Sequence, residues 1–136
     1  MRRVLCWHER HEAVVTTYHI IVTDDTDSVR GIITRIIART YPSVRISAVA
    51  DGADALAVFD HEGADLIITN NEMRRMGGLE LIRAVRLRND RIPIVMVSGN
   101  HSAQDDAFAA GVTLFVEKPF STAELIRILQ SLLPIN

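Results

Sequence analysis

His19-Ile20-Ile21-Val22-Thr23-Asp24-Asp25-Thr26-Asp27 opens on a β-branched run and closes on a cluster of acids. Such a run, with no polar residue alternating through its middle, marks a strand buried on both faces. A helix follows at once. Asp27 or Ser28 is placed to cap it, and Val29, Ile32, Ile33, Ile36 and Ile37 fall on one stripe until Tyr41-Pro42 ends it. A strand covered on both faces and followed directly by a helix predicts a parallel sheet between helical layers.

The same alternation continues outward from this stretch. Val44 to Val49 reads as a second strand, Asp51-Gly52 as a turn, and Ala53 to His61 as a helix of small residues stopped by Gly63. Asp65 to Thr69 is the third strand, with Asn70 at its carboxyl end. Gly77-Gly78 opens a helix whose Leu79, Ile82, Val85 and Leu87 are its apolar positions. Pro93 to Val97 is the fourth strand, ending at Ser98-Gly99, and Ser102 to Ala110 a short helix closed by Gly111. Thr113 to Val116 is the fifth strand. Lys118-Pro119 follows it, and Ser121 caps a last helix with Glu124 three residues on, the pattern of a capping box. In that helix Leu125, Ile128, Leu129 and Leu132 make one core stripe, while Ile126 and Leu133 lie beyond it and either serve a dimer or partner surface or pack under neighbouring side chains, two equal readings. Residues 1–18 fit no part of the alternation and read as an N-terminal extension, either a disordered arm or a weakly amphipathic helix.

Bulk properties narrow the function. A chain of 136 residues, 48% hydrophobic and 24% charged, suits one domain with one core. With 15 basic and 17 acidic residues the net charge is -2, which leaves no basic excess to grip a phosphate backbone and argues against direct nucleic-acid binding by this domain. No apolar run approaches the roughly 20 residues that span a bilayer. The basic start of the chain lacks the apolar core of a secretory signal. A lone cysteine, Cys6, fits a reducing compartment, so a cytoplasmic location is expected.

In parallel sheets flanked by helices, ligands gather beyond the carboxyl ends of the strands. The residues there are Asp24, Asp25, Asn70, Ser98 and Lys118. Adjacent carboxylates repel and call for a cation, and hard oxygen donors suit Mg²⁺. Ser98 offers a hydroxyl and Lys118 a positive charge to a phosphoryl oxygen. Each of these alone has a plainer reading: helix capping for the acids, a turn serine, a surface lysine. Together they converge on one point.

The combined pattern resembles the response-regulator receiver domain of two-component signalling. Its carriers are Ile20-Ile21-Val22-Thr23-Asp24-Asp25, Asp65-Leu66-Ile67-Ile68-Thr69-Asn70-Asn71-Glu72-Met73, Met76-Gly77-Gly78-Leu79-Glu80-Leu81, Ile94-Val95-Met96-Val97-Ser98-Gly99 and Phe115-Val116-Glu117-Lys118-Pro119-Phe120. The resemblance covers residues 19–133. It implies an α/β fold, a flavodoxin-like (βα)5 doubly wound parallel sheet in strand order 2-1-3-4-5. It also implies that Asp25 ligates Mg²⁺ directly, Asp24 through water and Glu72 by its backbone carbonyl. Ser98 and Lys118 would hold the phosphoryl group, and Phe115 matches the aromatic switch position, where plain core packing is an equal reading.

The chain departs from the family at the centre of the site. Asn70 stands where the phosphorylated aspartate belongs. An amide nitrogen whose lone pair is delocalised into its carbonyl is a poor nucleophile, so no ordinary phosphorylation is expected, and losing one carboxylate weakens Mg²⁺ binding. Arg74 stands where proline is usual and Gly77 where aspartate is frequent. Arg74-Arg75 reads either as a pair of solvated charges, the favoured reading, or as tethered cations. Two explanations compete for Asn70: a naturally atypical receiver, or an ordinary one carrying a deliberate Asp-to-Asn replacement. The changes at Arg74 and Gly77 favour the first. Signalling would then run through protein contacts with a sensor kinase or an output domain, with a homodimer through residues 102–133, and without enzymatic activity. A small haloacid-dehalogenase-like phosphatase is the enzymatic alternative, since Asp25-Thr26-Asp27-Ser28 resembles that family's nucleophile motif. It lacks the acidic pair needed after Lys118, where Glu124 is the remaining acid. A flavodoxin-like cofactor binder is disfavoured because the acids after the first strand would repel a phosphate.

Overall fold

The computed structural model describes residues 2–6 and 13–135. Seven strands and five helices occur among them, in two separate sheets. The smaller sheet is an antiparallel ribbon of β1 (Arg2–Cys6) and β2 (Ala13–Thr17), with Val4 opposite Val15. The described part of the N-terminal extension is therefore extended and paired, where the sequence reading offered a disordered or helical arm.

The larger sheet contains β3 (His19–Thr23), β4 (Arg45–Val49), β5 (Leu66–Thr69), β6 (Ile94–Ser98) and β7 (Leu114–Glu117). They are all parallel, in the order β4-β3-β5-β6-β7. Among the five this is 2-1-3-4-5, the expected order. The helices are α1 (Asp27–Thr40), α2 (Gly52–Glu62), α3 (Gly78–Arg88), α4 (Gln104–Ala110) and α5 (Thr122–Leu132), with a 3-10 turn at His101–Ala103 before α4.

The strand side chains alternate between two cores. Ile20, Val22, Leu66, Ile68, Val95 and Val97 pack with Ile33, Ile37, Leu125 and Leu129 under α1 and α5. Ile21, Ile67, Ile94 and Met96 pack with Ala55, Phe59, Leu81, Ile82, Val85 and Ala107 under α2, α3 and α4. The three inner strands β3, β5 and β6 are buried throughout, which is why their sequences show no polar alternation. Full burial of each Ile or Leu stabilises the fold by roughly 1.5–3 kcal/mol.

Several local readings are corrected. Thr26 takes the N-cap position of α1 in place of Asp27 or Ser28, without a side-chain cap, and its N–H donates to Asp24 Oδ1 at 2.9 Å. Ile32 and Leu87 were assigned to core stripes but are 43% and 87% exposed, whereas Leu81 takes the core position on α3. For Ile126 and Leu133 two readings were open, and the packed one is found: both lie against the core, with Leu133 only 6% exposed. The stops hold. Gly63 ends α2 with φ +70°, a left-handed conformation that glycine adopts without a Cβ penalty. Asp51 caps the start of α2, its Oδ1 accepting from the Asp54 N–H.

Candidate functional site

The parallel register brings the carboxyl ends of β3, β5, β6 and β7 to one edge. Asn70 continues β5, its N–H donating to Thr23 O at 3.0 Å. Lys118 continues β7, its N–H donating to Ser98 O at 2.9 Å. The Lys118–Pro119 peptide bond is cis. These backbone bonds set the spacing of the side chains.

Asp24 is buried and Asp25 exposed, so the two neighbouring acids do different things. Lys118 Nζ donates to Asp24 Oδ2 at 3.1 Å, and the Thr26 N–H donates to Asp24 Oδ1. Arg30 donates to the Asp24 carbonyl at 2.7 Å. A buried carboxylate is thus matched by a cation and a peptide donor, the condition for burying charge without a large penalty. Asp25 projects into solvent and meets Asn70: Nδ2 donates to Asp25 Oδ1 at 3.4 Å and to Glu72 O at 3.2 Å. Both neighbours are acceptors, which favours the amide with its nitrogen turned toward them.

Asn70, Glu72, Ser98, Gly99, Asn100 and Lys118 line a cleft of about 310 Å³. Ser98 is buried at its edge, and its Oγ accepts from the Asn100 N–H at 3.0 Å. Phe115 sits in the middle of β7 and is partly buried against the core beneath α2, α3 and α4. The close approach of Gly78 to the strand end matters here, because a Cβ at Gly78 would lie 2.2 Å from the Asn70 carbonyl. Glycine at that position lets α3 begin directly beside Asn70.

The loop after β5 holds a feature the sequence reading missed. Arg75, with φ +61°, donates to Asp51 at 2.9 and 3.1 Å and to Asp54 at 2.7 Å, while the Gly52 N–H donates to Met76 O. Arg75 is therefore neither a free solvated charge nor a cation tethered over the cleft. It fastens the loop that carries Glu72 to the start of α2. The Asp54 N–H, and after it the Arg75 guanidinium, hold the Asp51 carboxyl below the usual carboxylate range. The sequence signal was the acidic pair Asp51 and Asp54 after a strand, but nothing local points it at Arg75.

A metal is tested by the donors themselves. Among the described residues no three His, Cys, Asp or Glu side chains gather around one point. Asp25, the Glu72 carbonyl and the Asn70 carboxamide offer the hard oxygens that suit Mg²⁺, provided that Asn70 turns its Oδ1 inward. They fit the ion in kind, with Asp25 as the carboxylate beside Asn70. For the phosphatase alternative, Glu124 lies in the first turn of α5, where its backbone N–H donates to Ser121 Oγ.

The family model of the response regulator receiver domain matches residues 20–130. The chain belongs to that family. This receiver is 31% identical over 111 residues to the regulatory protein VirG of Agrobacterium fabrum, an alignment covering 79% of this chain and 43% of VirG. It is also 31% identical over 119 residues to the probable transcriptional regulator ycf27 of Cyanidium caldarium, covering 85% and 46%. The receiver spans about half the length of the curated relatives it matches. Among solved structures it resembles the chemotaxis response regulator CheY4 of Vibrio cholerae, with 29% identity and a TM-score of 0.78 over 87% of this chain and 100% of that one. It also resembles the receiver domain of a sensor histidine kinase from Pseudomonas aeruginosa PAO1, with 25% identity and a TM-score of 0.77 over 85% and 97%; that structure holds a magnesium ion in its active site cleft.

Proposed function

We propose that this receiver carries Asn70 at the phosphoacceptor position and relays a signal by protein contact, without ordinary aspartate phosphorylation and without catalysis of its own. The carrying observation is the Asn70 amide, which closes β5 beside Asp25 and donates to both Asp25 and the Glu72 carbonyl. An attacking carboxylate oxygen is replaced by a non-nucleophilic nitrogen that is already occupied. Mg²⁺ binds weakly at Asp25, Asn70 and the Glu72 carbonyl, since an amide stands in place of a carboxylate and its nitrogen is turned toward the other two donors. Asp24 is drawn away by Lys118.

The partner is a sensor kinase or an output region, met on the α4–β7–α5 face within residues 102–133. Relatives named as transcriptional regulators run to about twice the matched length, which supports an output region elsewhere in the whole protein. The working compartment is the cytoplasm; among the described residues no helix is long and apolar enough to cross a membrane.

Fluoroberyllate with Mg²⁺ mimics a phosphoryl group on a carboxylate, and it tests the reading without a kinase. Amide NMR of the wild-type chain is expected to be unmoved at Ser98 and Phe115, while Asn70→Asp shifts both. Shifts of equal size in the wild type would overturn the reading.

A further inference from the structure

Among the described residues, Arg75 is the one residue other than glycine with a positive φ, at +61°. That left-handed backbone is costly for a residue with a Cβ, so its surroundings must hold it there. Asp51 and Asp54 do so. Asp51 takes the guanidinium as a fork, Nε donating to Oδ2 at 2.9 Å and Nη2 to Oδ1 at 3.1 Å, and Nη2 also donates to Asp54 Oδ1 at 2.7 Å. A paired fork fixes direction as well as distance.

The anchor itself is well held. Asp51 is 8% exposed, and its Oδ1 also accepts from the Asp54 N–H at 3.0 Å. Behind it, α2 rests on the core through Ala55 and Phe59. The Gly52 N–H donates to the carbonyl of Met76, the residue after Arg75, at 3.0 Å. On the other side of Glu72, the Asn71 carbonyl accepts from the Gly78 N–H at 2.8 Å. Glu72 therefore sits between two fastened points of the loop, and its carbonyl accepts from Asn70 Nδ2 at 3.2 Å. Arg75 does not line the cleft.

We infer, resting on the cation site proposed above, that Arg75 is a positioning residue: its clasp on Asp51 and Asp54 sets where the Glu72 carbonyl stands, and through it the affinity of the cleft for a divalent cation. The sign of the effect separates position from charge. A guanidinium acting by charge alone repels a cation, so removing it would tighten binding. Removing a contact that orients a ligand loosens binding, by about tenfold or more.

Arg75→Gly tests it, because glycine keeps the left-handed backbone without strain and loses only the clasp. Mg²⁺ is titrated by calorimetry into the wild-type chain and into Asn70→Asp, each with and without Arg75→Gly. Affinity about tenfold lower with Arg75→Gly is expected. Amide hydrogen exchange without Mg²⁺ gives a second readout: faster exchange at Gly52 and Gly78 in Arg75→Gly is expected, with the amides of β3 unchanged. An affinity unchanged or raised by Arg75→Gly would overturn the inference alone, as would unchanged exchange at Gly52 and Gly78. Mg²⁺ binding to neither the wild type nor Asn70→Asp would overturn the cation site itself, and the inference with it.

Discussion

Asn70 differs from an aspartate by one amide nitrogen, and in the function proposed above that nitrogen sets both the charge and the reactivity of the cleft. It donates to Asp25 and to Glu72 O, the two oxygens best placed to hold a cation. Replacing it with a carboxylate removes the donor and adds a negative charge. Asn70→Asp is therefore expected to raise Mg²⁺ affinity by roughly tenfold or more, measured by isothermal titration calorimetry. Equal affinities would mean that Asn70 takes no part in the ion site. The identity of this residue was legible from sequence because a strand pattern ended on it. The split between Asp24 and Asp25 was not. Which of two adjacent acids turns inward depends on Lys118, 94 residues away, and on the peptide donor at Thr26.

The β5–α3 loop shows how one element is held by another. Arg75, spread over Asp51 and Asp54, ties it to the start of α2 alongside the Gly52 N–H bond to Met76 O. The Asp51 carboxyl titrates below its unfolded value, so its contribution to stability is present above about pH 4 and is lost as the pH falls through the lower, folded value. Thermal melts are expected to show a steeper loss of stability below about pH 4 in the wild type than in Asp51→Asn. Parallel acid profiles would assign the tie no weight. The strands and helix order were readable because burial on both faces leaves a plain apolar run. The faces of α1 and α3 were misread at Ile32 and Leu87, since both fit a helical period yet lie at the margin of the covered stripe. The Arg75 clasp was invisible for a different reason: a guanidinium in a loop can reach many acids, and only the fold chooses.

At the scale of the whole molecule, the edge of the domain remote from the cleft is closed by two tyrosines. Tyr41 donates to Leu133 O at 2.7 Å and Tyr18 to Pro134 O at 2.6 Å, with the rings in an edge-on pair 5.5 Å apart. Burial pushes the Tyr41 phenol up to about 12. These bonds tie the end of α5 to the start of β3 and the end of α1. Tyr41→Phe leaves a buried carbonyl unpaired and is expected to cost about 1–3 kcal/mol in urea unfolding. A loss within error would show that the end of α5 is held by packing alone. The cleft at the other edge is lined by Ser98, Lys118 and the Asn70 amide, the groups to which the proposed function assigns a silent phosphoryl site. Intact-protein mass spectrometry after incubation with acetyl phosphate and Mg²⁺ tests this most directly, with Asn70→Asp run in parallel. The expected result is no phosphoryl adduct on the wild-type chain and a hydroxylamine-labile adduct on the variant. A hydroxylamine-labile adduct on the wild-type chain, with Asn70 still an amide, would contradict it.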